Sequence, residues 1–249
     1  MDDASRDETG SIIRSLADPR IRLFPFSRNK GRGVARNYAL QQARGEWFAI
    51  LDMDDLSYPD RLEQALIAKD TGYDFQCTYV SLIDRHYNLT GCRGFNNRTY
   101  PRRFLHASVS GNGKMIRRIG YPPYRRAQDV TLELTLANRH HGHFLEDALY
   151  IYQEDSNHSV WKALQGKYYA AKQIGELVRT GILRKSNGVR KMYWGFCWAR
   201  LILLAPFLLC PWVYPYTVRY RNRLGLAAEW RHSKARLDFL DLVQSEAWR

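Results

Sequence analysis

Between residues 7 and 83 short apolar runs alternate with segments of helical spacing, and this alternation, more than any other feature, points the chain toward an α/β fold. Ser5-Arg6-Asp7-Glu8 has the Ser-x-x-Glu form of a capping box and precedes Ile12, Ile13 and Leu16, which predicts a helix over 7–17. Residues 20–26, "RIRLFPF", alternate charged and apolar side chains and read as a strand. Val34, Tyr38 and the run from Leu40 to Ala43 predict a helix that ends at Gly45. "EWFAIL" (46–51) is a short apolar strand, Pro59 opens a helix whose Leu62, Ala65 and Leu66 share a face, and "YDFQCTYVSLI" (73–83) is another strand. The expected result is a mostly parallel sheet flanked by helices.

Where the second of these strands ends, Asp52, Asp54 and Asp55 fall within four positions. Like charges that close repel one another, so the cluster reads either as a solvated turn or as a cation site. Its place favours the cation. Ligands of parallel α/β sheets bind beyond the carboxyl ends of the strands, and Mg²⁺ usually takes one or two carboxylates together with phosphate oxygens of its substrate.

The four cysteines, Cys77, Cys92, Cys197 and Cys210, form no Cys-x-x-Cys pair, which argues against a zinc site and against a disulfide framework. No secretory signal opens the chain, and a cytoplasmic setting is expected. Of the net charge of +13, residues 160–249 carry +11, from sixteen Lys or Arg against five Asp or Glu. Such an excess suits a lipid headgroup layer or a nucleic acid and does not choose between them. Between Arg200 and Arg219 the chain has eighteen uncharged residues, "LILLAPFLLCPWVYPYTV", broken by Pro206, Pro211 and Pro215. Trp194, Trp198, Trp212, Tyr214 and Tyr216, with flanking basic residues, suit a membrane interface better than a span. The expected division is therefore a catalytic domain over 1–159 and a mainly helical, basic, membrane-associating extension over 160–249.

The stretch 29–66, "NKGRGVARNYALQQARGEWFAILDMDDLSYPDRLEQAL", resembles the inverting glycosyltransferases of family two, which have the GT-A fold. "MDDASRDET" at the start and "YRRAQDVTLELTL" (124–136) are similar to two further motifs of that family. The resemblance implies a metal-dependent transfer, with inversion, from a nucleotide sugar, a uridine diphosphate sugar foremost, to a hydroxyl acceptor that is lipid-linked if the tail meets a membrane. It implies Mg²⁺ or Mn²⁺ as cofactor, a place on the cytoplasmic membrane face, work in surface polysaccharide or glycolipid synthesis, and no nucleic acid partner. On it, Asp3 recognises the nucleotide base with help from Asp2, and Asp54 and Asp55 hold the metal. Asp52, Arg32 and Arg36 then sit at the donor, and Asp129 is the catalytic base. Gln128 stands where the family has Glu, and His106 and Ser108 fall where it lines the sugar or acceptor pocket.

Relative to the family, Met1 falls just before the Asp-Asp pair, so the first β-α unit is expected to be missing; the intact later motifs favour a start set too far downstream, and a truncated, inactive, basic membrane- or RNA-binding module is the alternative. "ILDMDDL" also resembles the Asp-x-Asp nucleophile of haloacid-dehalogenase-type phosphatases. Asp55-Leu56 fits that pattern poorly, and no other motif of that family is present.

Overall fold

The structure, a computed structural model, describes residues 1–95, 100–124, 126–153 and 159–195. The helices are α1 (Thr9–Ser15), α2 (Arg32–Gln42), α3 (Arg61–Asp70), α4 (Gly113–Ile119), α5 (Val130–Arg139), α6 (Val160–Arg179) and α7 (Asn187–Trp194). The strands are β1 (Trp47–Ala49), β2 (Leu56–Ser57), β3 (Phe75–Ile83), β4 (Leu89–Arg93), β5 (Ser110–Asn112) and β6 (Gly142–Gln153). The sheet order is β1-β5-β3-β6-β2, with β4 also paired to β3.

The α/β class is as expected, but the sheet is mixed and not mostly parallel. β3 and β6 pair in parallel, whereas β1 with β5, β3 with β5, β3 with β4 and β2 with β6 are antiparallel. β1 and β3 do run the same way, as a strand–helix–strand unit requires, yet β5 is inserted antiparallel between them. Its sequence, Ser-Gly-Asn, has no apolar run to announce it. The glycine is required by packing, because a Cβ at Gly111 would lie 2.9 Å from that of Phe75.

Three local expectations change. Residues 20–26 form no strand and make only a parallel bridge between Asp2 and Pro25. The bridge is held by Asp2 N–H to Phe24 O (3.0 Å) and Phe26 N–H to Asp2 O (2.9 Å), and Pro25 has no N–H to extend a ladder. The Ser-x-x-Glu capping box does not form: α1 starts later than expected, and Ser5 N–H donates instead to Asp2 Oδ1 at 2.8 Å. In α3 the buried face is Arg61, Ala65 and Ala68, while Leu62 and Leu66 are exposed and Pro59 precedes the N-cap residue Asp60.

One core lies on the β3 side, where Phe75, Phe104, Val109 and Ile116 pack with Leu132 and Leu136 of α5. The opposite face of α5, through Val130 and Leu134, packs on Ala170, Ile174 and Leu177 of α6. Residues 160–194 are therefore largely helical and share a core with α5. Among the described residues no helix is long and apolar enough to cross a membrane. The apolar stretch 201–218 lies outside the described residues.

Candidate active site

β1 delivers the chain to the acidic cluster, and Ile50 N–H donates to Val109 O at 3.0 Å to fix the exit. Residues 52–55 then close a tight turn through Asp55 N–H to Asp52 O at 3.1 Å. At its tip Met53 is 81% exposed and Asp54 points to solvent. Asp55 turns the other way and is buried: Tyr150 Oη donates to its Oδ2 at 2.6 Å and Gln153 N–H to its Oδ1 at 2.9 Å. The same hydroxyl accepts Asp52 N–H at 3.1 Å. Beneath the turn, the buried Arg61 guanidinium lies 4.7 Å from the Tyr150 ring centroid and donates to the carbonyls of Ile50 (2.7 Å), Ala107 (3.1 Å) and Val109 (3.4 Å). Burial lowers the Arg61 pKa to about 10, which leaves it charged.

Burial raises the Asp55 carboxyl to about 6 from an ordinary 3.8, against the opposing pull of its Tyr150 and Gln153 hydrogen bonds. Between those values the folded chain keeps a proton that the unfolded chain has released. The group's contribution to stability is thus present below about pH 4 and lost as pH rises through 6. At about 1.4 kcal/mol for each tenfold change in proton affinity, the loss is about 3 kcal/mol at most. Denaturant unfolding at pH 4.5 and 7.5 is expected to show a steeper loss for wild type than for Asp55→Asn. Equal losses would count against a proton on Asp55.

Arg36 of α2 is bonded to this turn and also responds to the charge of the second acidic position, Asp129. Its Nη2 donates to Asp52 Oδ1 at 2.6 Å, and its guanidinium lies 5.5 Å from the Tyr121 ring centroid. Burial disfavours its charge, but Asp52 chiefly, with Asp129, holds its pKa above the ordinary value. Asp129 sits at the N-cap of α5 without capping the helix through its side chain, which is about one-third exposed (36%). His106 Nδ1 approaches Asp129 Oδ2 at 3.9 Å. Burial lowers the imidazole pKa and outweighs the opposite pull of Asp129, so the ring is neutral near pH 7. Asp129 opens onto a cleft of about 500 Å³ bordered by Tyr79, Arg93, Phe95 and Arg103. Its floor is stiffened by Arg103, which donates to both oxygens of the buried Glu133 at 2.8 and 3.2 Å.

The structure thus groups Asp52, Arg36, His106 and Asp129, with Asp54 on the adjoining turn. Asp2 and Asp3 form a separate group. Asp3 accepts Lys30 N–H (2.7 Å) and Gly31 N–H (2.9 Å) and shapes the loop into α2, where Gly31 takes a φ of 92° that favours glycine. Asp2, whose pKa is lowered by its hydrogen bond from Ser5, borders a hollow of about 510 Å³ with Arg14, Phe26 and Arg28. Arg32 is exposed at the first residue of α2. Gln128 is buried beside Gly33, where a Cβ would meet Pro122 O at 2.5 Å. Ser108 is buried as a fastener: its Oγ donates to Leu105 O at 2.8 Å and accepts Thr78 N–H at 3.4 Å. Tyr150, Arg61, Arg103 and Glu133 were not singled out by sequence. Arg61 alone had a signal, its place in the Pro-x-Arg-Leu part of the stretch 29–66 that resembles the family, whereas helical spacing put Leu62 and Leu66 on the buried face.

Among the described residues no group of three or more His, Cys, Asp or Glu converges on a metal position. The donor set fits a cation carried by a diphosphate, because the exposed Asp54 and Oδ2 of Asp52 supply the one or two carboxylates such a cation needs. Asp55 fits that role less well, since both its oxygens accept protein hydrogen bonds.

The family model described as "Glycosyl transferase family 2" matches residues 1–127. The succinoglycan biosynthesis protein ExoO of Rhizobium meliloti (strain 1021) is 44% identical over 70 residues, covering 28% of this chain and 20% of that protein. Among solved structures, S. aureus TarS 1–349 in complex with UDP-GlcNAc has a TM-score of 0.55 at 16% identity, over 78% of this chain and 60% of that one. The mannosyltransferase PcManGT from Pyrobaculum calidifontis in complex with GDP-Man and Mn²⁺ has a TM-score of 0.51 at 19% identity, over 78% and 57%. At those identities the two structures speak to the fold alone, which is that of GT-A transferases. The chain spans a fifth of the length of ExoO and less than two thirds of either structure.

Proposed function

The chain belongs to glycosyltransferase family 2, and from that premise we propose that it transfers a sugar, with inversion, from a nucleotide sugar to an acceptor hydroxyl in surface polysaccharide or glycolipid synthesis. The observation that carries this reading is the charge grouping around Arg36, which is paired with Asp52 on the turn that also bears Asp54 and is stabilised as well by the charge of Asp129, the carboxylate at the cleft. An anionic diphosphate at the turn is held by Arg36 while Asp129 accepts the proton of an acceptor hydroxyl seated in the cleft. His106, 3.9 Å from the Asp129 carboxylate and neutral, adds no competing charge beside it. When bound at Asp54 and Asp52, Mg²⁺ or Mn²⁺ neutralises charge that builds on the departing nucleoside diphosphate. The names of the relatives support the class of chemistry: succinoglycan synthesis for ExoO, UDP-GlcNAc with TarS, and GDP-Man and Mn²⁺ with PcManGT. A uridine diphosphate sugar is the first donor to try. Calorimetric titration with UDP and GDP sugars, with and without Mn²⁺, tests the reading. Mn²⁺-dependent binding is expected, and no binding in either condition would favour a basic, non-enzymatic module.

The lipid side of the reading rests on charge and aromatic exposure. Residues 159–195 hold eight Lys or Arg against one acid. Trp161 (63% exposed) and Tyr168 (60%) are seven positions apart on one stripe of α6, and Trp194 (55%) closes α7. A peripheral position on the cytoplasmic face of an anionic membrane suits both features, with each Lys or Arg near the surface contributing about 1 kcal/mol. High salt is expected to lower association with anionic liposomes, and replacing Leu203, Leu204, Phe207 and Leu208 by Ser to remove what salt leaves. A monodisperse protein that ignores such liposomes at low salt would contradict the membrane partner and leave a soluble acceptor.

A further inference from the structure

We infer that Tyr150 is a positioning residue for the donor site: its hydroxyl straps the two ends of the turn at 52–55 and so sets how Asp52 and Asp54 are presented. The inference rests on the reading of that turn as the place where a metal-bound nucleoside diphosphate sits. Tyr150 lies in β6, fully buried between its neighbours, with Val80 of β3 opposite it on one side and Ser57 of β2 on the other. Its hydroxyl bonds to the turn and not to the sheet. The hydroxyl donates to Asp55 Oδ2 at 2.6 Å, at the last residue of the turn, and accepts Asp52 N–H at 3.1 Å, at the first.

The tip between those residues, Met53 and Asp54, is solvent-facing, so the turn is shaped from its two ends: by the strap, by the Asp55 N–H to Asp52 O bond, and by the bonds of Arg36 to Asp52 and of Gln153 to Asp55. Tyr150 is in turn held in place. The Arg61 guanidinium lies over its ring and grips Ile50 O, two positions before the turn, together with Ala107 O and Val109 O on the segment that carries His106. One buried tyrosine and one buried arginine thereby tie the donor turn to the His106 segment, which continues from Phe104 and Leu105 at the Asp129 cleft. Burial, and after it the bond to Asp55, raise the phenol pKa, so the hydroxyl keeps the proton it donates. A site of this kind loses affinity when its supporting shell is loosened, even if every ligating group is still present.

The test uses the full chain, with UDP as probe in Mn²⁺ and, separately, in EDTA. Tyr150→Phe keeps the ring under Arg61 and removes only the strap. It is expected to weaken UDP binding in Mn²⁺ about tenfold, the scale of one lost hydrogen bond, and to leave binding in EDTA unchanged. Leu177→Ala, in the core between α5 and α6 and away from the turn, is the stability control: its melting temperature should fall while both affinities hold. If Tyr150→Phe does not give a cooperative melt, Asp55→Asn perturbs the strap from the other side, because Tyr150 and Gln153 donate to different oxygens of Asp55 and an amide offers an acceptor at one of those two positions. It too is expected to lose affinity in Mn²⁺ selectively. Unchanged Mn²⁺–UDP affinity in whichever strap variant folds, or an equal loss in Leu177→Ala, would overturn the strap alone. A wild-type chain that binds no Mn²⁺–UDP would overturn the donor reading itself and the inference with it.

Discussion

Asp129→Asn is expected to reduce sugar transfer by about a hundredfold or more while leaving donor affinity within about twofold of wild type. The amide matches the carboxylate in volume, and the Asp129 side chain makes no capping bond to α5, so little stability is at stake. What is removed is the proton acceptor at the mouth of the cleft. Its loss also takes away the negative charge facing His106, which lowers the basicity of that buried, neutral ring and makes it a poorer proton acceptor in the place of Asp129. Initial rates at saturating donor, beside calorimetric donor affinity, separate the two effects. Transfer at close to the wild-type rate would remove Asp129 from the reaction.

Asp54→Asn is expected to do the reverse and abolish the metal-dependent part of donor binding without a change in fold. Asp54 is exposed on a turn, so the substitution costs no packing. The charge it loses is one of two carboxylates left to a cation, since Asp55 is spent on Tyr150 and Gln153. Asp52 alone, already paired with Arg36, is a poor replacement. Thermal melts should superpose on wild type, and titration with a uridine diphosphate sugar in Mn²⁺ should show the loss. Unchanged affinity would move the metal elsewhere.

How far the sequence could be read followed how one-sided each segment's burial is. β3 showed itself as a largely apolar run because it is buried almost throughout, and α2 was recognised by its apolar spacing, although it ends at Gln42 and not at Gly45. α5 was not legible by period. From Val130 to Ala137 all but Thr131 are buried, so no polar face marks the helix, and Leu132, Leu134 and Leu136 mimic a strand. α3 misled in the opposite sense: its leucines face solvent and its arginine faces the core, because Arg61 has three carbonyls to satisfy. β5 has too few side chains to carry any pattern. In the site, Asp52, Asp54 and Asp129 were found through local motifs. Tyr150 was invisible, since it acts on residues 95 and 98 positions away and nothing local distinguishes it from a core tyrosine.

The most direct measurement is transfer of a radiolabelled uridine diphosphate sugar by the full chain to a polysaccharide or lipid-linked acceptor fraction in Mn²⁺, run in parallel with EDTA and with Asp129→Asn. Label is expected in product for the wild-type chain with Mn²⁺, and to fall to background both on chelation and in the variant. Label that accumulates at the same rate in EDTA and in Asp129→Asn would contradict a reaction run between the carboxylate turn and the Asp129 cleft.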